Sequence, residues 1–188
     1  MKYIKSYSIL LVLGLFMMAC ETQMVDKLDD FNLPNGGYMR TVTPFPVSNT
    51  TWNVSKANMA GTKMEAVLEA VTPNAGANFA SYELVVRQVG SNNAVLKADA
   101  PLRTLQASQF TKDAQTGYPR FTLSITGKEA QDALRLTDAE VVVGSRFEVR
   151  ATMVLTDGKR FNASNTGVNI TGGAFYSSPF FYRVNIVQ

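Results

Sequence analysis

Arg146-Phe147-Glu148-Val149-Arg150-Ala151-Thr152-Met153-Val154-Leu155 decides the fold class. Phe147, Val149, Ala151, Met153 and Leu155 fall on one side of a two-residue period, and Arg146, Glu148, Arg150 and Thr152 fall on the other. Successive side chains of a strand point to opposite faces, so this is a strand with one face buried and one wet, the habit of antiparallel sheets. The next residues, Thr156-Asp157-Gly158-Lys159-Arg160-Phe161, place Asp-Gly between two such runs, which predicts a hairpin.

The same period recurs outward in both directions. Met64, Ala66, Leu68 and Ala70 alternate with Glu65, Val67 and Glu69. Tyr82, Leu84 and Val86 alternate with Glu83, Val85 and Arg87, and Phe121, Leu123 and Ile125 with Thr122, Ser124 and Thr126. Gly90-Ser91-Asn92-Asn93 reads as a turn between a strand ending near Val89 and a short strand over Ala94 to Lys97. Pro179 precedes the last predicted strand, Phe180 to Val187, a place where the missing N–H is tolerated. One segment, Lys128 to Leu136, reads as a helix of about two turns without strong caps, a crossover between sheets. Thr137-Asp138-Ala139-Glu140 has capping-box spacing and suits a further single turn. About nine short strands and one connecting helix predict an all-β fold, an antiparallel sandwich of immunoglobulin or fibronectin III type with one short crossover helix. No fixed-period repeat and no Pro/Ser-rich linker divides residues 38–188, so they form one domain. A body of that size buries about 68–70% of its chain surface and needs neither disulfide nor metal to hold together.

Of 188 residues, 46% are hydrophobic and 18% charged, a balance that argues against disorder, collagen and coiled coil. The chain has no histidine, which excludes the Ser-His-Asp triad, a Cys-His pair and His-rich zinc sites. Its single cysteine, Cys20, cannot form an internal disulfide.

Residues 1–19 have the layout of an export signal: Lys2 and Lys5, then the uncharged run Ile9 to Met18, too short to span a bilayer comfortably. The segment ends Met17-Met18-Ala19-Cys20, which resembles a bacterial lipobox, although that pattern prefers leucine where Met17 stands. The resemblance implies a lipoprotein signal peptide, removed to leave an acylated Cys20 as the new N-terminus of a 169-residue chain. Several acyl chains, at about 0.8 kcal/mol per buried methylene, hold a protein essentially permanently at a membrane. An ordinary secretory signal with Cys20 as a small residue is the alternative. Loss of the two leader lysines lowers the formal charge from +3 to +1, which leaves no basic stripe and no case for nucleic-acid binding.

Residues 20–37 follow neither helical nor strand period and end in Pro34-Asn35-Gly36-Gly37, so they read as a lipidated N-terminus and flexible tether. Extended, the tether reaches roughly 55–60 Å. Glu21, Asp26, Asp29 and Asp30 make it acidic. Acidic residues after the cysteine resemble the surface-export signal of Bacteroidetes-type lipoproteins, which implies the cell-surface side of the outer membrane.

Four stretches carry a broader resemblance: Gly36 to Thr41, Leu102 to Leu105 with Ser108-Gln109-Phe110, Val154 to Phe161, and Gly172 to Tyr182. Together they resemble Ig-like surface lipoproteins, loosely SusE-like, from polysaccharide-utilisation-type loci that also encode SusC- and SusD-like importer components. Members usually end their last strand with a cysteine, where this chain ends Val184-Asn185-Ile186-Val187-Gln188. The resemblance implies a non-enzymatic accessory of nutrient uptake, with membrane, importer and glycan as partners. It carries over no catalytic motif, cofactor or metal site.

Chemistry is sought first among the carboxylates. Glu65 and Glu69 share a strand face with backbones ~13 Å apart, beyond the roughly 5 to 9.5 Å of a glycosidase pair. Asp29 and Asp30 lie in the tether. Asp138 and Glu140 share a loop that Asp132 can approach, without the six to eight oxygens calcium prefers. Sugars stack on exposed aromatic rings, so Trp52, Tyr118, Phe175 and Tyr176, in or near predicted turns, are the candidate ligand-binding residues; the opposing reading is that they are core, with Trp52 the indole buried between sheets. Arg40, Arg150 and Arg183 read as solvated strand-face charges. Two further functions stay open: a structural adaptor docking through sheet edges or an exposed Phe180-Phe181-Tyr182 strand without any small ligand, and a hydrolase using carboxylates alone.

Overall fold

The computed structural model describes residues 36–45, 47, 50–171 and 180–188. The expected leader, residues 1–19, and the expected lipidation site at Cys20 lie outside that set. Ten strands form two sheets: β1 (Tyr38–Thr43), β2 (Trp52–Ser55), β3 (Lys63–Val71), β4 (Phe79–Val89), β5 (Val95–Gln106), β6 (Thr111–Lys112), β7 (Pro119–Thr126), β8 (Arg146–Leu155), β9 (Arg160–Asn162) and β10 (Phe181–Val187). One sheet has the order β1-β3-β7-β6; the other has β2-β10-β8-β4-β5, with β9 pairing β8. All ladders are antiparallel except β2 with β10, where Trp52 stands opposite Val184 and Ser55 opposite Val187. The fold is an all-β sandwich.

The alternation read from the sequence becomes the core. Met64, Ala66, Leu68 and Ala70 of β3, Leu123 and Ile125 of β7, Tyr82, Leu84 and Val86 of β4, Phe147, Val149, Ala151, Met153 and Leu155 of β8 are all buried. The β8–β9 hairpin forms at Asp157-Gly158: Gly158 has φ +83°, and the Leu155 amide donates to the Lys159 carbonyl at 2.9 Å. A left-handed residue is what the tight turn requires, and glycine takes it without strain.

Three boundaries differ from expectation. The segment after the 90–93 turn is a twelve-residue strand rather than a short one. β5 is an edge strand with almost no buried stripe, so it leaves no period in the sequence, and Pro101 is tolerated there. The crossover helix, α1, spans Gly127–Ala133, and it has a cap: the Thr126 side chain accepts from the Glu129 amide at 3.1 Å. Gly37 belongs to the body, not to the tether. A Cβ there would meet Thr72 Cγ2 at 2.8 Å and Met153 Sδ at 2.9 Å, so the chain enters the fold through a backbone-to-side-chain contact that only glycine fits.

A line of hydroxyls crosses the core. Tyr182 Oη of β10 lies 3.5 Å from both Thr41 Oγ1 of β1 and Tyr82 Oη of β4, and all three residues are buried. Burial pushes both phenol pKa values up, and Tyr182 raises that of Tyr82 further by its charge and its hydrogen bond. The unfolded chain ionises near 10, while these two folded phenols hold their protons longer. Stability is therefore fully present below that pH and falls as the pH climbs towards the folded-state values. Tyr82 and Tyr182 are expected to stay silent in an ultraviolet titration until alkaline unfolding exposes them. A smooth titration of every tyrosine near pH 10 with the fold intact would contradict this.

Candidate functional site

The four predicted aromatics do not form one site. Trp52 is corrected: its indole is 9% exposed, with its ring edge-to-face on Tyr182 at 5.9 Å and its Nε1–H donating to the Glu65 carbonyl at 3.2 Å. An indole fixed between sheets offers no face to a sugar. Tyr118 is half-buried beside β7, where its amide donates to Thr116 Oγ1 and its carbonyl accepts from the Asp113 amide. It stands near Arg120, which pairs with Glu69, whereas Trp52 stands by Glu65, about 13 Å away along β3. Phe175 and Tyr176 lie outside the described residues. The expected exposed run Phe180-Phe181-Tyr182 is also corrected: Phe180 and Tyr182 are buried, because β10 lies inside its sheet between β2 and β8.

The loop carboxylates disperse. Asp132 pairs with Lys128, Asp138 accepts from Gln131 Nε2 at 2.8 Å, and Glu140 caps Thr137, accepting from its amide at 2.7 Å and its hydroxyl at 2.8 Å. Among the described residues no group of three His, Cys, Asp or Glu side chains is placed to hold a metal ion.

Two carboxylates that alternation puts on wet faces are instead covered by arginines. Glu69 is fully buried on the outer face of the four-stranded sheet. Arg40 donates to its Oε1, while Arg120 Nε and Thr116 Oγ1 donate to Oε2 at 2.7 and 2.8 Å. Arg120 also donates from Nη1 to Asp113 Oδ1 at 2.6 Å. The Thr116 amide, helped by its hydroxyl, the Gln115 amide and the Arg120 charge, holds the Asp113 carboxyl below its usual range. Arg40 is thus a half-buried partner, not a solvated charge. This network ties β1, β3 and the β6–β7 hairpin together. Changing Glu69 to Gln leaves two arginines facing a neutral amide, and removing one partner of a buried pair costs about 3 kcal/mol here, the low end because both guanidinium groups keep some water. Urea unfolding should show that loss in the midpoint with an unchanged slope; an equal midpoint would mean the pair contributes nothing.

The second covered carboxylate is Glu148, on the outer face of the six-stranded sheet with its side chain 3% exposed. Arg87 grips Oε2 with Nε and Nη2 at 2.8 and 2.6 Å, and Arg146 Nε holds Oε1 at 2.8 Å. Burial pushes the Glu148 carboxyl up, but these two arginines outweigh it and hold it below its usual range. Arg183 stands opposite Glu148 in the β10–β8 register and Arg87 opposite it in β4–β8. Arg146 and Arg150 flank it along β8, so four arginines surround one carboxylate, each within about 5 to 7 Å by backbone position. Arg150 pairs with Asp99 of β5, but its Nε is buried and without a hydrogen-bond partner. Burial and the Arg87 charge push the Arg150 pKa down. Arg183 is exposed and has no carboxylate partner among the described residues; its guanidinium lies 5.4 Å from the Phe181 ring centroid.

Two open depressions of about 410 Å³ each lie on the described surface. One lies beside Val67, Lys112, Arg120 and Thr122 on the four-stranded sheet, the other beside Lys97, Asp99, Pro101 and Arg135, between β5 and the end of α1. No protein-family profile matches the chain, and a search of curated proteins finds no match.

Proposed function

We propose that the protein is a lipid-anchored lipoprotein of the outer membrane, displayed at the cell surface, and a non-enzymatic accessory of a SusC/SusD-like system that takes up glycans. The observation that carries this reading is the short apolar leader ending at the chain's only cysteine, ahead of a tether and a β-sandwich. The strand order supports an immunoglobulin-type sandwich. β1, β3, β7 and β6 follow the A-B-E-D order, and β10, β8 and β4 follow G-F-C, with β5 added at the C edge. Such a scaffold works by presenting faces and loops to a ligand or partner. Affinity purification from intact membranes, paired with a glycan array, tests the reading. Recovery of importer components together with binding to a glycan supports it, and failure of both removes it.

One observation favours a second reading, an adaptor without a small ligand. β5 is a long sheet edge whose first residues, Val95 and Leu96, are 53% and 48% exposed, a form suited to pairing with a partner strand. Importer recovery without any glycan binding selects it. Turnover of a glycan, lost on changing Asp138 or Glu140, would instead support a carboxylate hydrolase.

A further inference from the structure

Resting on the glycan reading above, we infer that the outer face of the six-stranded sheet binds an acidic polysaccharide, one bearing carboxylate or sulfate groups, through Arg183 and Arg150 around the Phe181 ring. β10, β8 and β4 are adjacent, and their registers put Arg183, Glu148 and Arg87 in one row and Phe181 beside Arg150 in the next. Around this point four guanidinium groups meet two carboxylates, Glu148 and Asp99, which leaves a local excess of two positive charges. The next ion pair along the face, Arg160 with Glu83, is balanced and adds nothing to it.

The positions of the donors matter more than the count. Arg87 and Arg146 are engaged by Glu148, and Arg146 also donates to the Gly90 carbonyl and Asn93 Oδ1. Arg183 keeps its donors open to water, and the Arg150 side chain, although paired with Asp99, is 40% exposed. Cations packed this closely repel one another, and an arriving anion relieves that repulsion while accepting charge-assisted hydrogen bonds. Arg183 and Arg150 are diagonal neighbours on adjacent strands, about 7–8 Å apart by backbone position, a spacing that suits acidic groups along an extended chain rather than one isolated ion. Phe181, half-buried beside Arg183 and Arg150, adds apolar surface next to these charges.

Binding of the full detergent-solubilised lipoprotein to four polymers tests this: polygalacturonate for the carboxylate source, dextran sulfate for the sulfate source, neutral dextran, and duplex DNA as a polyanion without sugar acids. At least one acidic glycan should bind, dextran should not, and raising the salt should weaken the complex. Arg183→Gln and Arg150→Gln should each weaken binding by about tenfold, the effect of one charge-assisted hydrogen bond. Arg160→Gln should leave it within about twofold, and the Arg183→Gln unfolding midpoint should match the wild type because that side chain is exposed. Acidic-glycan binding that ignores both arginine changes overturns the inference, as does equal affinity for DNA. Binding confined to neutral glycans overturns it while the uptake reading stands. Binding to no glycan on a broad array removes the glycan reading itself.

Discussion

Replacing Cys20 with serine is expected to reduce incorporation of labelled palmitate to background and to leave the leader attached. A lipobox processes the chain only after its cysteine sulfur carries a lipid, and a serine hydroxyl is no substitute for a thiolate nucleophile. The energetic consequence is large. A single acyl chain gives weak, reversible membrane binding, whereas several chains at about 0.8 kcal/mol per methylene make dissociation negligible. Mass spectrometry of material extracted from the native host checks the same point. The wild-type N-terminal fragment should begin at Cys20 and carry fatty-acid mass, and the variant's should begin at Met1 without it. An unmodified Cys20 thiol in the wild type, or equal palmitate labelling in the variant, would leave the anchor without support and the proposed location with it.

The structure separates what a one-dimensional pattern can report from what it cannot. Alternation over Phe147 to Leu155 locates a strand and its core face because both are local consequences of the pleat. The Asp157-Gly158 turn is legible for the same reason. β5 is not, since an edge strand needs one partner and no buried face, and so leaves no stripe. Glu69 shows the limit most clearly. Its place in the alternation marks a wet position, yet its water is displaced by Arg40 and Arg120, which are 29 and 51 residues away in the chain. The parallel pairing of β2 with β10 likewise joins segments more than a hundred residues apart.

The same distinction applies to the candidate site. Trp52 stood out as the only tryptophan, near turn residues, but its exposure depends on Tyr182 from the last strand. The arginines were visible in the sequence as isolated polar positions and read as solvated one at a time. Only the registers of β10, β8 and β4 show that Arg183, Arg150, Arg87 and Arg146 surround a single carboxylate. Chemistry in this chain resides in cross-strand neighbours, which periodicity does not record.

Truncating Tyr182 to alanine should cost about 4 kcal/mol, within the range for deleting a buried aromatic ring. That is a large part of the 5–15 kcal/mol typical of a domain, and for a body of this size it lowers the thermal midpoint by roughly 8–16 °C. The ring is fully buried, it fills the space beside the Trp52 indole, and it belongs to a strand that both β2 and β8 pair with. The hydroxyl matters far less. Its 3.5 Å contacts with Thr41 and Tyr82 are at the outer limit of hydrogen bonding, so Tyr182→Phe should cost about 1 kcal/mol or less. The phenylalanine variant also removes the neighbour that raises the Tyr82 pKa, and Tyr82 should then ionise at a lower pH in the folded protein. Circular dichroism melts of the pair distinguish packing from polarity. If alanine and phenylalanine shift the midpoint equally, the hydroxyl line is what joins the sheets; if alanine alone is severe, the ring is, and Arg183 and Phe181 on the opposite face of β10 depend on it for their alignment.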